Sequence, residues 1–93
     1  MTHPPSLVVH LESPYGEYEA GAAPARDVIL MGLGWTTPWW PALAVGWLEQ
    51  GAPLDEEIVA CLEAIGGRKK WPQDLRQRAA ALARRWQTRA APQ

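Results

Sequence analysis

Val28–Leu48 reads V-I-L-M-G-L-G-W-T-T-P-W-W-P-A-L-A-V-G-W-L, twenty-one residues without a charge that hold four of the six tryptophans. A stretch of this length could cross a bilayer, which needs about twenty apolar residues. Its contents argue against that. Thr36, Thr37, Pro38, Pro41 and three glycines interrupt it, and Trp39 and Trp40 would sit at mid-depth instead of in the interfacial belts where Trp concentrates. It is therefore expected to supply most of a soluble hydrophobic core, with no membrane contact.

The stretch divides into three parts. Val28-Ile29-Leu30-Met31 suits a buried strand or a buried helix, and the helix is favoured because Pro24 fits its first turn and Gly32 or Gly34 can end it. Trp35-Thr36-Thr37-Pro38 must be a sharp break, since a residue before proline is pushed out of the helical region. The third part is a helix over about 38–50. Thr37 caps it with Pro38 in the first position, or Trp40 precedes Pro41 in that role, and Gly51 is the C-terminal stop. Trp40, Leu43, Ala44 and Trp47 share one stripe with Leu48 on its edge, and Trp39 falls off it. Gly46, which costs about 1 kcal/mol relative to Ala inside a helix, implies a close-packed neighbour.

Upstream, Ser6–Glu12 alternates loosely with Leu7, Val9 and Leu11 on one side and suits a short strand. Ser13-Pro14-Tyr15-Gly16 reads as a turn, and Glu17–Ala20 as a returning strand. Downstream, Asp55 is a good helix N-cap, Glu56 and Glu57 favour the positive end of the helix, and Leu54 can staple against Val59. Ile58, Cys61, Leu62 and Ile65 share a face before Gly66-Gly67 ends this helix, about 55–65. Its short connection to the preceding helix implies an antiparallel pair. Pro72 opens a last helix, about 72–88, with Leu75, Ala79, Leu82 and Trp86 on a single stripe.

The fold expected is thus mainly α: a small three-helix bundle, four if 24–33 is helical, with a short N-terminal β-strand or hairpin. Ninety-three residues make one domain, because a chain of this size buries roughly 60–65% of its unfolded surface and cannot divide that between two cores. Residues 1–5 and 90–93 are expected to be disordered tails.

Several chemistries have little support. Gly32-Leu33-Gly34 lacks the third glycine of a dinucleotide loop, and no Gly-Lys-Ser/Thr triplet occurs. The lone Cys61 excludes an intrachain disulfide and reads as a small buried hydrophobe, not a nucleophile. His3 and His10 have no metal-ligand spacing. No catalytic residues, metal or cofactor are expected, and the absence of a secretory pattern at the start, with one cysteine, points to a cytoplasmic setting.

Charge is polarised along the chain. Residues 1–67 carry nine acids against Arg26 alone, a net of −8, and residues 68–93 carry eight bases against Asp74 alone, a net of +7. Either the two parts neutralise one another on folding, or one of them meets a charged partner. The leading expectation for function is a small non-enzymatic protein-binding module: an adaptor, an accessory subunit, or a stoichiometric inhibitor of the immunity type. Its contacts would be Trp35 and Trp39, which have no place on an apolar stripe, and the aromatic–acidic group Tyr15, Tyr18, Glu17 and Glu19. The alternative is a nucleic-acid-binding helical module in which Arg68, Lys69, Lys70, Arg78, Arg85 and Arg89 track a phosphate backbone. Self-association is compatible with either.

Overall fold

The computed structural model describes residues 7–18 and 24–90 of the chain. Four helices, α1 (Ala25–Leu33), α2 (Trp39–Glu49), α3 (Glu56–Gly66) and α4 (Gln73–Ala90), follow two 3-10 segments, Leu7–Glu12 and Tyr15–Glu17. The ambiguous run from Val28 is helical. Val28, Ile29, Gly32 and Leu33 are its buried residues, the i, i+1, i+4, i+5 pattern of one helical face, and Gly34 caps the end. Helix α4 continues through Ala90, past the boundary expected from the sequence.

Among the described residues there is no strand, so the expected N-terminal strand or hairpin is corrected. A hairpin standing alone is marginal and needs a surface to pack on. A 3-10 segment reaches that surface differently, because its side chains eclipse every third residue. Val8 and Leu11, three apart, are both buried, and the segment lies against α1 and α2. Of the proposed returning strand, Glu17 belongs to the second 3-10 segment, and Glu19 and Ala20 lie outside the described residues.

Trp47 locks this segment in place. Its ring is 1% exposed, and its indole N–H donates to the Ser13 carbonyl at 2.8 Å. Tyr15 and Tyr18 lean on it with ring centroids 5.6 and 5.1 Å away, and the Tyr15 N–H donates to Gln50 Oε1 at 2.8 Å. Burying an indole without a partner for its N–H would cost about 1–3 kcal/mol, so the Ser13 contact is what permits the burial.

Helix α2 begins with Pro38 as its cap residue and has no side-chain cap, contrary to both arrangements expected. Pro41 sits buried in the first turn, where a missing N–H leaves nothing unsatisfied. The buried set is Pro41, Ala44, Val45, Trp47 and Leu48, with Trp40 and Leu43 only half-buried, so the inward face is turned from the expected stripe. The helix ends in a Schellman motif. The Ala52 N–H bonds to the Trp47 carbonyl and the Gly51 N–H to the Leu48 carbonyl, each at 3.2 Å, with Gly51 at φ 117° and Ala52 buried.

That glycine redirects the chain into the 52–55 connector, which has no regular structure and ends with Asp55 in an extended conformation. The expected antiparallel α2–α3 pair does not form. Substantial contacts join α1 to α2, α2 to α4, α4 to α3 and α3 to α1, which closes a ring with α2 and α3 on a diagonal. At the start of α3 the Asp55 carboxylate accepts from the Ile58 N–H at 2.9 Å. That bond first, and the Arg26 guanidinium second, hold the Asp55 carboxyl below its ordinary value. Arg26 bridges Asp55 and Glu57 across the α1–α3 contact. Ile58, Val59, Leu62 and Ile65 of α3 meet Leu75, Ala79, Leu82 and Ala83 of α4 in the core. Cys61 is half-buried, and burial raises its thiol pKa.

The close approach that Gly46 suggested occurs at Gly32 instead. A Cβ on Gly46 would meet only the ends of the Arg78 and Gln50 side chains, at 3.9 Å. One on Gly32 would lie 2.5 Å from Leu11 Cδ1, 3.3 Å from Ala44 Cβ and 3.4 Å from the Trp40 carbonyl oxygen. Gly46→Ala is accordingly expected to stabilise the protein by up to about 1 kcal/mol through helix propensity. Gly32→Val should destabilise it by about 1–3 kcal/mol through overpacking. Urea denaturation of both variants measures the two effects, and equal midpoints would refute the assignment.

Candidate functional site

The break between α1 and α2 is short because Gly34 ends one helix and Pro38 starts the next, leaving Trp35, Thr36 and Thr37 to turn the chain. The Trp35 N–H still bonds to the Gly32 carbonyl at 3.2 Å, which fixes Trp35 as a continuation of the helix end. Its half-buried ring stands edge-on to Trp40, with centroids 6.4 Å apart at 70°. Trp39 meets the same Trp40 ring at 6.5 Å and 75°. Three indoles are therefore linked through Trp40, which packs against the core. Such edge-to-face pairs contribute about 0.5–1.5 kcal/mol beyond their buried area.

Trp39 is the outermost ring, 59% exposed, although it begins a well-packed helix. Only Met31, at 41%, joins it as an exposed large hydrophobic among the described residues. The segment that carries these rings has no charge from Val28 to Leu48. An indole held out from a rigid base presents contact area at low entropic cost, which suits a docking anchor.

The other expected contact group is divided. Tyr15 and Tyr18 are half-buried on Trp47, and His10 stands edge-on to Tyr18 at 5.2 Å, so these rings serve the core as well as the surface. Glu17 is exposed, and Glu19 lies outside the described residues. The structure does not join this group to Trp35 and Trp39 by any ring contact.

The basic set is also not one surface. Arg78 is half-buried and donates through Nε and Nη2 to the Glu49 carboxylate at 3.0 and 2.7 Å, with Asp74 3.7 Å from its Nη1. Glu49 is the main cause of its raised pKa. Arg68 lies over the Trp71 ring, 4.5 Å from the centroid. Lys69, Lys70, Arg84 and Arg85 are exposed and make no ion pair among the described residues. Of Arg89 only the helical backbone is described. Among the described residues Arg78–Glu49 is the ion pair that joins the acidic and basic parts of the chain; the α1–α3 bridges lie within the acidic part.

Among the described residues, grooves lie on either side of α2's C-terminal half. One, about 370 Å³, runs beside Leu11, Leu43, Trp47 and Arg78 where the N-terminal segment crosses α2. The other, about 510 Å³, lies between the end of α2, the 52–55 connector and α4, and is lined by Leu48, Glu49, Leu54, Leu82, Arg85 and Trp86. Sequence reading had no means of finding the second, since three separate segments build it. Among the described residues no three His, Cys, Asp or Glu side chains are grouped to hold a metal, and no helix is long and apolar enough to cross a membrane.

No protein-family model matches the chain, and no curated protein or solved structure matches it either.

The burial pattern separates the tryptophans by role. Trp47→Ala is expected to cost about 3–5 kcal/mol, whereas Trp39→Ala should change stability by no more than about 0.5 kcal/mol. Denaturant midpoints read by far-ultraviolet circular dichroism test this, and a large loss from Trp39→Ala would place that ring in the core.

Proposed function

We propose that this protein is a small non-enzymatic docking module that acts by binding another protein through the Trp35–Trp39–Trp40 face. The observation that carries this reading is Trp39, exposed at the start of a rigid helix and braced edge-on by Trp40. Tryptophan is enriched among the few interface residues that dominate binding energy, and it does so when a partner pocket fully desolvates it. The uncharged segment that carries these rings, Val28–Leu48, favours a partner patch that is apolar at its centre. An adaptor, an accessory subunit or a stoichiometric inhibitor would each use such a face.

The test is capture of a partner by the whole chain from lysate of the source cells, followed by native mass measurement of the complex and comparison with Trp39→Ser. A hot-spot loss of about 2 kcal/mol corresponds to roughly a thirtyfold weaker complex. Retention of the same partner at the same affinity by the Trp39→Ser protein would refute the proposal. The mass also reads whether the module binds as one copy or as a self-associated pair.

A second reading is supported by the unpaired Lys69, Lys70, Arg84 and Arg85: a nucleic-acid contact along α4 and the loop before it. Arg78 is withdrawn from that set by Glu49. If these four cations neutralise phosphates, log K against log salt must fall with a slope of about −3 to −4. Titration of labelled single-stranded and duplex DNA at several salt concentrations measures it. Absence of binding at low salt removes this reading.

A further inference from the structure

The larger groove lies at the opposite end of α2 from Trp39, about 15 Å along the helix axis. Leu48 and Leu82 close its floor and are almost fully covered, 5% and 4% exposed, so the apolar surface it offers comes mainly from Leu54 and Trp86, half-buried at its sides. Its rim carries one charge of each sign, and the two are not equivalent. Glu49 is held by both Nε and Nη2 of Arg78, so its charge is already answered. Arg85 is exposed and has no ion-pair partner among the described residues, and neither has Arg84 beside it. An occupant therefore meets the apolar sides of Leu54 and Trp86 beside a positive lip. A free guanidinium fork is matched by a carboxylate, which it can bind through two parallel hydrogen bonds. A cationic segment would be repelled there, and a purely apolar one would leave the fork unused.

We infer that this groove docks a short acidic segment of a protein partner, with one aliphatic or aromatic side chain seated between Leu54, Leu82 and Trp86 and an Asp or Glu carboxylate beside it bound by Arg85. The site stands apart from the tryptophan face and does not depend on it. A partner engaging both would gain affinity from the second contact as an intramolecular event.

The probe is a random dodecapeptide library displayed on phage, selected against the whole chain, with the selected peptides then synthesised and titrated. The expected result is enrichment of Asp or Glu next to an aliphatic or aromatic residue, with amide and indole shifts centred on Leu54, Leu82 and Trp86 in a heteronuclear NMR spectrum. Arg85→Glu, a substitution at an exposed position, should weaken these peptides at least tenfold, and Trp39→Ser should leave them unchanged. The inference fails if no peptide survives selection, if the survivors lack acidic residues, or if they bind Arg85→Glu as well as the unaltered protein. Binding of a twelve-residue oligothymidine that depends on Arg85, without any acidic peptide, would assign the arginine to nucleic acid and overturn it as well. Loss of peptide binding in Trp39→Ser would place the peptides on the tryptophan face and overturn the inference.

Discussion

The burial of Trp47 is the constraint on which the rest of the structure depends. Its indole is the largest fully buried side chain, and its N–H finds an acceptor only because Ser13, thirty-four residues earlier, brings a carbonyl to it. That one bond orients the N-terminal segment along α2. Val8 and Leu11 can then cover α1 and α2, which in turn requires Gly32 to have no side chain, because Leu11 occupies the space a Cβ would fill. A chain with no Phe concentrates its large aromatic volume in Trp, and each buried Trp brings a donor that must be satisfied. The architecture follows from satisfying that donor without opening the core.

What could be read from the sequence was local. Asp55 as a cap, Gly51 as a stop and Pro72 ahead of the last helix depend on neighbours within a few residues, and the structure has all three in those places. The misreadings were set by distant partners. Leu7, Val9 and Leu11 alternate well enough for a strand, yet the segment is a 3-10 turn that buries Val8 and Leu11 against α1 and α2. The short link between α2 and α3 suggested a hairpin of helices, but each of the two packs instead on α1 and α4. Gly46 and Gly32 look alike in sequence; only the packing shows that one faces side-chain ends and the other a neighbouring segment.

The candidate surfaces were legible to the same degree. Trp39 could be placed off the apolar stripe by counting helical angles, and it stands exposed. Trp35 could not be assigned that way, because its half-burial comes from Trp40 across the break. Arg78 looked like one cation among several until Glu49, twenty-nine residues away, engaged it. The polarised charge of the sequence is thus only partly neutralised on folding. Among the described residues one ion pair joins the two parts, while the α3–α4 loop and the outer side of α4 keep cations without one. A tryptophan face and a positively rimmed groove lie at opposite ends of one helix.

The central claim is that the uncharged stretch is divided into a tryptophan that holds the core, Trp47, and one that faces outward, Trp39. Incorporation of 5-fluorotryptophan, with each resonance assigned by single Trp→Phe substitutions, allows solvent access to be read ring by ring from ¹⁹F line broadening by a soluble gadolinium chelate. The account predicts strong broadening of Trp39 and a Trp47 signal that stays sharp. Equal broadening of the two, or a protected Trp39, would contradict it.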